Sequence, residues 1–274
     1  MPTEPTIKRY LRYQPHLVTY IDILGFRELV QQKSPNFISW AIRQVQQITV
    51  PNVYTNKHKG ENYVNFSDLI VHTIPLDQRN QDGSEEILLA EIKYIAMVQA
   101  VLIEKGLLLR GAITIGKIER SYDVLFGPGL ISAYELERDY AHNSRIVLDN
   151  QLLESIKSKR SFEVLSDCIR LDDDGLVFVD YLGFMQKVLN NDRMSYHRLV
   201  ETHKNLIEKN LLNFQNNKRV LSKYLWLRKY HNAIVCATVA RRQQKKFNVG
   251  GLAFDSWVPS LTPNSRSGNR RSGG

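Results

Sequence analysis

Apolar residues fill both faces of the chain over residues 16–23, where Leu17, Val18, Tyr20, Ile21 and Ile23 leave few polar positions between them. That pattern predicts a strand buried on both sides. Gly25 breaks it, and helical segments are predicted over 25–33 and 36–48, with Asn36 as the N-cap of the second. Strand-like runs over 61–66 and 69–74 flank Ser67-Asp68 and predict a hairpin. A polar loop over 77–84 leads to Ser84, the predicted cap of a long helix to about residue 105. Its stripe of Leu88, Ile92, Ile95, Ala96 and Leu102 recurs at helical spacing, and Gly106 is the predicted stop. A strand over 107–115 follows, interrupted by Arg110-Gly111. Then come the turn Phe126-Gly127-Pro128-Gly129, a helix to about Tyr140 and a short strand over 144–149.

The order is β-α-β-β-α-β-α-β. Its first six elements, βαββαβ, predict an α+β fold with a split βαβ sheet of the ferredoxin-like, palm type. Such a sheet is largely antiparallel, with helices on one face. From about residue 150 the pattern changes. Short helix and strand pieces, including 177–181, run to about 185, and two long stretches, 194–217 and 219–246, predict an antiparallel helical hairpin. The chain therefore divides into a polar lead-in (1–15), a sheet domain (16–150), a mixed and then helical extension (151–258) and a tail (259–274). The tail's Pro, Ser, Gly, Asn and Arg content predicts disorder.

Composition narrows the class. The 274 residues are 43% hydrophobic, enough for a real core, with no apolar run long enough to span a membrane. The first residues lack the apolar stretch of a secretion signal. Two cysteines, Cys168 and Cys236, suggest neither a disulfide framework nor a metal cluster, and a reducing, cytoplasmic setting is the expectation. The net charge of +9 suits a polyanionic partner, either a nucleotide or a nucleic acid, or simply a solvated basic surface. Arg241, Arg242, Lys245 and Lys246 form one basic cluster, and Arg266, Arg270 and Arg271 another.

Two carboxylates stand out against the apolar pattern: Asp22 within the first strand run and Asp68 at the hairpin. A buried carboxylate needs a partner. In a split βαβ sheet the end of strand one and the hairpin turn are neighbours. Asp22, Asp68 and the Ile23 carbonyl could then hold one or two divalent ions, and Mg²⁺ commonly leaves substrate phosphates to complete its shell. Gly25 and Phe26 form a tight turn that could cradle phosphate. Arg110, inside an apolar strand, needs an anion. Plainer readings stand beside these: Asp22 as a helix N-cap, Asp68 as a turn residue and Arg110 in a salt bridge within the sheet.

Three blocks in this order resemble the class III nucleotidyl cyclases: Tyr20-Ile21-Asp22-Ile23-Leu24-Gly25-Phe26, then Asn65-Phe66-Ser67-Asp68, then Leu109-Arg110-Gly111-Ala112-Ile113-Thr114-Ile115-Gly116. The Asp-Ile-Leu-Gly-Phe block, the Phe-Ser-Asp hairpin and the run from Lys223 to Asn232 are more narrowly similar to bacterial pyrimidine cyclases of Pycsar antiphage systems. The broader resemblance covers residues 16–150 and makes them the catalytic domain. It implies cyclisation of UTP, or of CTP, to a 3′,5′-cyclic mononucleotide with release of pyrophosphate. It also implies Mn²⁺ or Mg²⁺, a homodimer, and a cyclic-nucleotide-gated effector reached only through the product. Asp22 and Asp68 match the catalytic, metal-binding aspartates, and Ile23 adds its carbonyl. Gly25, Phe26 and Arg110 match triphosphate contacts.

The chain also departs from that family. The helix after the third block carries Ile131 and Glu135 where adenylyl and guanylyl cyclases have an Asn and an Arg. Arg120, Arg138 and Arg145 are candidate replacements. Val64 stands where purine cyclases carry a lysine, four residues before Asp68, which argues against ATP. Phe66 or Tyr63 could stack on a base. Asp172-Asp173-Asp174-Gly175 reads as a solvated turn, Asp180-Tyr181-Leu182-Gly183-Phe184 as a chance echo of the first block, His231 as a packed or capping residue, and Trp40 and Trp226 as core or interface anchors. The rival readings are a non-catalytic nucleotide sensor and, ranked last, a basic nucleic-acid-binding protein.

Overall fold

The computed structural model describes residues 12–49, 62–121 and 124–250. The doubly apolar run becomes β1 (Gln14–Ile23), an interior strand of the sheet. It pairs antiparallel with β3 (Leu69–Pro75) and β4 (Leu109–Ser121), and β3 pairs with β2 (Asn62–Phe66). The order β2-β3-β1-β4 is the predicted split βαβ arrangement. β1 and β2 run parallel but are separated by β3, and β3 and β4 by β1.

Alternation along β1 sorts the helices. Leu17, Ile21 and Ile23 join a large core with α2 (Pro35–Thr49) and α3 (Gln81–Glu104). Val18 instead joins Val71, Ile118 and Ala133, the last from α4 (Pro128–Tyr140). Helices thus cover both faces: α2 and α3 take the predicted one and α4 the other. Close approach of α4 depends on two missing side chains, because a Cβ on Gly116 would stand 2.3 Å from the Gly129 Cα.

Local boundaries shift for identifiable reasons. Pro35 takes the first position of α2, so Ser34 rather than Asn36 is the cap, accepting from the Phe37 N–H at 3.3 Å. Asn80 rather than Ser84 caps α3, accepting from the Gly83 N–H at 3.0 Å, while the Ser84 hydroxyl donates to the Asp77 carbonyl. Gly106, with φ 74°, ends α3 as expected. A short α1 (Phe26–Gln32) follows β1, and β5 (Val124–Phe126), not foreseen, folds back on β4.

The sheet continues past residue 150. β6 (Ile146–Leu148) pairs parallel with β4, and β8 (Val177–Val179) and β7 (Ile169–Leu171) extend the same sheet. α5 (Asn150–Ser155) and α6 (Lys159–Ser166) lie between them in sequence, and α7 (Tyr181–Val188) follows. The predicted hairpin is α8 (Arg193–Asn213) and α9 (Lys218–Thr238), and the second stretch breaks before α10 (Arg241–Phe247). Leu182, Ile207, Leu211, Leu227 and Ile234 share one buried core with Leu17 and Ile113.

The aspartate-rich turn is not merely solvated. Arg145, 1% exposed, donates to the carboxylates of Asp172 and Asp174, and Asp172 also accepts from the Trp226 indole N–H at 2.7 Å. Asp180 is structural too: it caps α7 and accepts from the Tyr230 hydroxyl at 2.7 Å and Arg170 Nε at 3.0 Å. His231 is fully buried, its Nδ1 2.9 Å from Nδ1 of His203 and its Nε2 2.8 Å from the Phe247 carbonyl oxygen. Among the described residues no helix is long and apolar enough to cross a membrane. The tail over 259–274, with its arginines, and most of the lead-in lie outside the described residues.

Candidate functional site

Asp22 is the penultimate residue of β1, and alternation puts it on the same face as Val18, towards α4. Its direct ladder partner in β4 is Arg110. The guanidinium binds it in bidentate fashion, Nε to Oδ1 at 2.9 Å and Nη2 to Oδ2 at 2.8 Å. Glu137 of α4 brings Oε1 to 2.9 Å from the same Nη2, but without the alignment of a hydrogen bond. Arg110 is therefore held between two carboxylates, the salt-bridged arrangement that the sequence left open.

Glu137 went unrecognised in the sequence. Its signal was spacing: it falls four residues after Ala133 of α4 and four before Ala141, which caps the helix C-terminus, and all three are buried. Burial pushes its carboxyl above the usual range, Arg110 pulls it back, and Asp22 pushes it up again. Tyr20, one residue before Asp22, has its hydroxyl pushed up to about 12 by burial and by the charges of Glu137 and Asp22.

The hairpin delivers the second aspartate. Because Ile21 pairs with Ile70, the β2–β3 turn projects past β1 beside Asp22. Ser67 makes that turn with a left-handed backbone, φ 58°, unusual for a residue other than glycine. Burial raises the Asp68 carboxyl above its ordinary range, and the charge of Asp22 adds to the rise.

These residues line one open cleft of about 520 Å³: Asp22, Ile23, Gly25, Phe26, Asp68 and Arg110 all border it. Gly25, with φ 78°, makes the turn from β1 into α1 that bends the chain around the cleft mouth. Val64 and Phe66 do not line it; both are exposed on β2, the edge strand, with Phe66 77% exposed. Tyr63 stacks on His72, ring centroids 3.9 Å apart. Ile131 and Glu135 lie on the outer side of α4, where Ile131 is 60% exposed. Of the candidate arginines, Arg145 is committed to its clamp and Arg138 pairs with Asp139, while Arg120 sits where β4 pairs with β5. The cleft also takes in Arg219 and Lys223 from α9; Lys223 opens the run quoted for the narrower resemblance, but neither residue had been read as a site residue.

The donor set suits a hard divalent cation. No group of three or more His, Cys, Asp or Glu with metal-binding geometry occurs among the described residues. Mg²⁺, however, typically takes only one or two carboxylates and keeps other positions for water and phosphate. Asp68 and Asp22 repel one another, and a cation between them would relieve that repulsion. A carboxylate has about four lone-pair positions, so Arg110 leaves room on Asp22.

No protein-family model and no curated protein matches the chain. Solved structures that resemble it include the adenylyl cyclase CyaB from P. aeruginosa, at 16% identity over 62% of this chain and 95% of that one, with a TM-score of 0.43. Another is the monomeric guanylyl cyclase domain of the RhoGC fusion protein from the aquatic fungus Blastocladiella emersonii, at 11% identity, 62% and 98% coverage and a TM-score of 0.39. A class III adenylyl cyclase-like ATP-binding protein from Pseudomonas aeruginosa is 16% identical over 56% of this chain but only 37% of its own length, with a TM-score of 0.41. At this distance no chemistry transfers from them, and the site stands on its own geometry.

Proposed function

We propose that the chain is a metal-dependent nucleotidyl cyclase, in which the ribose 3′-hydroxyl of a nucleoside triphosphate attacks its own α-phosphate and pyrophosphate leaves. One observation carries the reading: β1, the β2–β3 turn and β4 each deliver a charged residue, Asp22, Asp68 and Arg110, to one cleft beside the Gly25 turn. The motif resemblance in the same three segments agrees with it.

Asp22, Asp68 and the Ile23 carbonyl would hold Mg²⁺ or Mn²⁺, which supplies Lewis-acid polarisation of phosphoryl oxygens. Arg110 fixes the orientation of Asp22 through two parallel hydrogen bonds. Gly25 and Phe26 border the space for the phosphates. Val64 in place of the family's purine-selecting lysine argues against ATP, and the resemblance alone favours UTP, with CTP second. On the same resemblance the protein works as a homodimer whose cyclic product is an antiphage signal acting on a cyclic-nucleotide-gated effector, and its two cysteines favour a cytoplasmic setting.

A second reading, nucleotide sensing without turnover, has its own support. Arg138 and Arg145 are already paired, and Ile131 and Glu135 lie on the exposed side of α4. Purified protein incubated with each NTP and Mn²⁺ separates the two. Cyclic product lost in Asp22→Ala and Asp68→Ala supports the cyclase. Metal-dependent NTP binding without product supports the sensor, and neither binding nor product ends both readings.

A further inference from the structure

Arg219 and Lys223 belong to the helical extension, yet they border the cleft that contains Asp22, Asp68 and Arg110. They lie four residues apart on α9 and so share one face. Leu221 and Leu227 anchor the same helix in the main core. The Asn217 side chain accepts from the Val220 N–H, and Tyr224 stacks nearly parallel on Phe214 of the α8–α9 turn, at 3°. The two cations are thus carried on a fixed element.

Among the described residues neither cation makes an ion pair. Arg110 is different: Asp22 and Glu137 already occupy it. Burial, then the like charges of Arg110 and Arg219, push the Lys223 ammonium below its ordinary range, against the opposing charges of Glu28, which also lines the cleft, and Asp22. The carboxylates of Asp22 and Asp68 border the other end of the same cleft. A ligand that satisfies both ends carries a divalent cation near one and several anionic oxygens near the other.

We propose that Arg219 and Lys223 hold the β- and γ-phosphates of a nucleoside triphosphate, so that the helical extension completes the phosphate site of its own protomer. The proposal rests on reading the cleft as a nucleotide site, but not on whether that nucleotide is cyclised. Arginine and lysine are suited to this by their fork of donors and compact charge. Substrate α-phosphate then lies at the carboxylate end, and the departing pyrophosphate is gripped by α9.

The test is calorimetric binding of Mg²⁺-pyrophosphate to the full chain, which needs no turnover. Wild type is expected to bind, and the double variant Arg219→Gln/Lys223→Gln to bind about 100-fold more weakly, as befits two lost charge-assisted contacts. Arg242→Gln, on α10 and outside the cleft, should match wild type. A charge-retaining variant, Arg219→Lys, should keep most of the affinity and guards against misfolding as the explanation. No binding by wild type, equal binding by the double variant, or an equal loss in Arg242→Gln each overturns the proposal. If the expected losses occur but wild type forms no cyclic product from any NTP, the phosphate site stands and the cyclase reading falls. If product forms and the double variant leaves both the KM for NTP and inhibition by pyrophosphate unchanged, the cyclase stands and this assignment falls.

Discussion

At the scale of single residues, the site stores electrostatic cost for its ligand. A carboxyl whose folded pKa is raised contributes its full share of stability below its unfolded value and loses it as pH rises through the folded value. Asp68 is such a group, so at neutral pH its ionised form opposes folding. Asp68→Asn is therefore expected to raise the melting temperature of the cation-free protein while reducing turnover at least about 100-fold. Thermal melts in chelator, beside product assays, would show it, and a destabilised variant would refute the electrostatic account. Asp22 and Arg110 were legible in the sequence because each charge interrupts an apolar strand, and Asp68 because it sits in the turn between two strand-like runs. Glu137, Arg219 and Lys223 were not, because they sit on helices, where charged residues ordinarily face solvent.

At the scale of elements, one buried device holds the extension to the sheet and another holds its two long helices together. Arg145 is clamped by Asp172 and Asp174 and lies over Trp226, 5.8 Å from its ring centre. Arg145→Ala leaves two carboxylates without their partner and should cost about 3–5 kcal/mol in denaturant unfolding, the range for a broken buried ion pair. A cost below about 1 kcal/mol would mean the clamp is incidental. The second device is His203 and His231, both fully buried on α8 and α9 with Nδ1 atoms facing each other. One must donate and the other accept, and burial favours the neutral form of both. Burial holds His231 down to about 4, with the Phe247 carbonyl opposing that shift and Lys204 adding to it. Burial, and then His231, hold His203 well below its ordinary value. Their stabilisation is complete above pH about 6.5, the unfolded value, and falls as pH drops towards 4, at roughly 1.4 kcal/mol per pH unit for each histidine. Urea melts from pH 7.5 to 4.5 on wild type and His231→Gln would register the slope and its reduction. A slope unchanged by the substitution would refute this origin. The aspartate turn misled the sequence reading because its partners, Arg145, Trp226 and Lys229, come from distant segments.

At the scale of the whole molecule, the sheet and its core run through the boundary drawn at residue 150. A fragment of residues 12–150 would expose the β6 edge that β8 covers, and would lose the α7, α8 and α9 side chains packed on the core shared with β1 and β4. Such a fragment is expected not to fold, giving poor amide dispersion in NMR spectra and no cooperative melt. A well-dispersed spectrum would restore the two-domain description. The sequence by itself determined the α+β class, the split βαβ core, the helical hairpin and three of the charged residues in the cleft, because strand alternation, turn chemistry and a charge inside an apolar run are local signals. Only the tertiary structure decided that Arg110 is held by Asp22 and Glu137, that α4 covers the second face, and that α9 brings Arg219 and Lys223 to the cleft. Those facts depend on contacts between residues far apart in the chain, where side-chain charge, burial and distance are set together by packing and leave no periodic trace in the sequence.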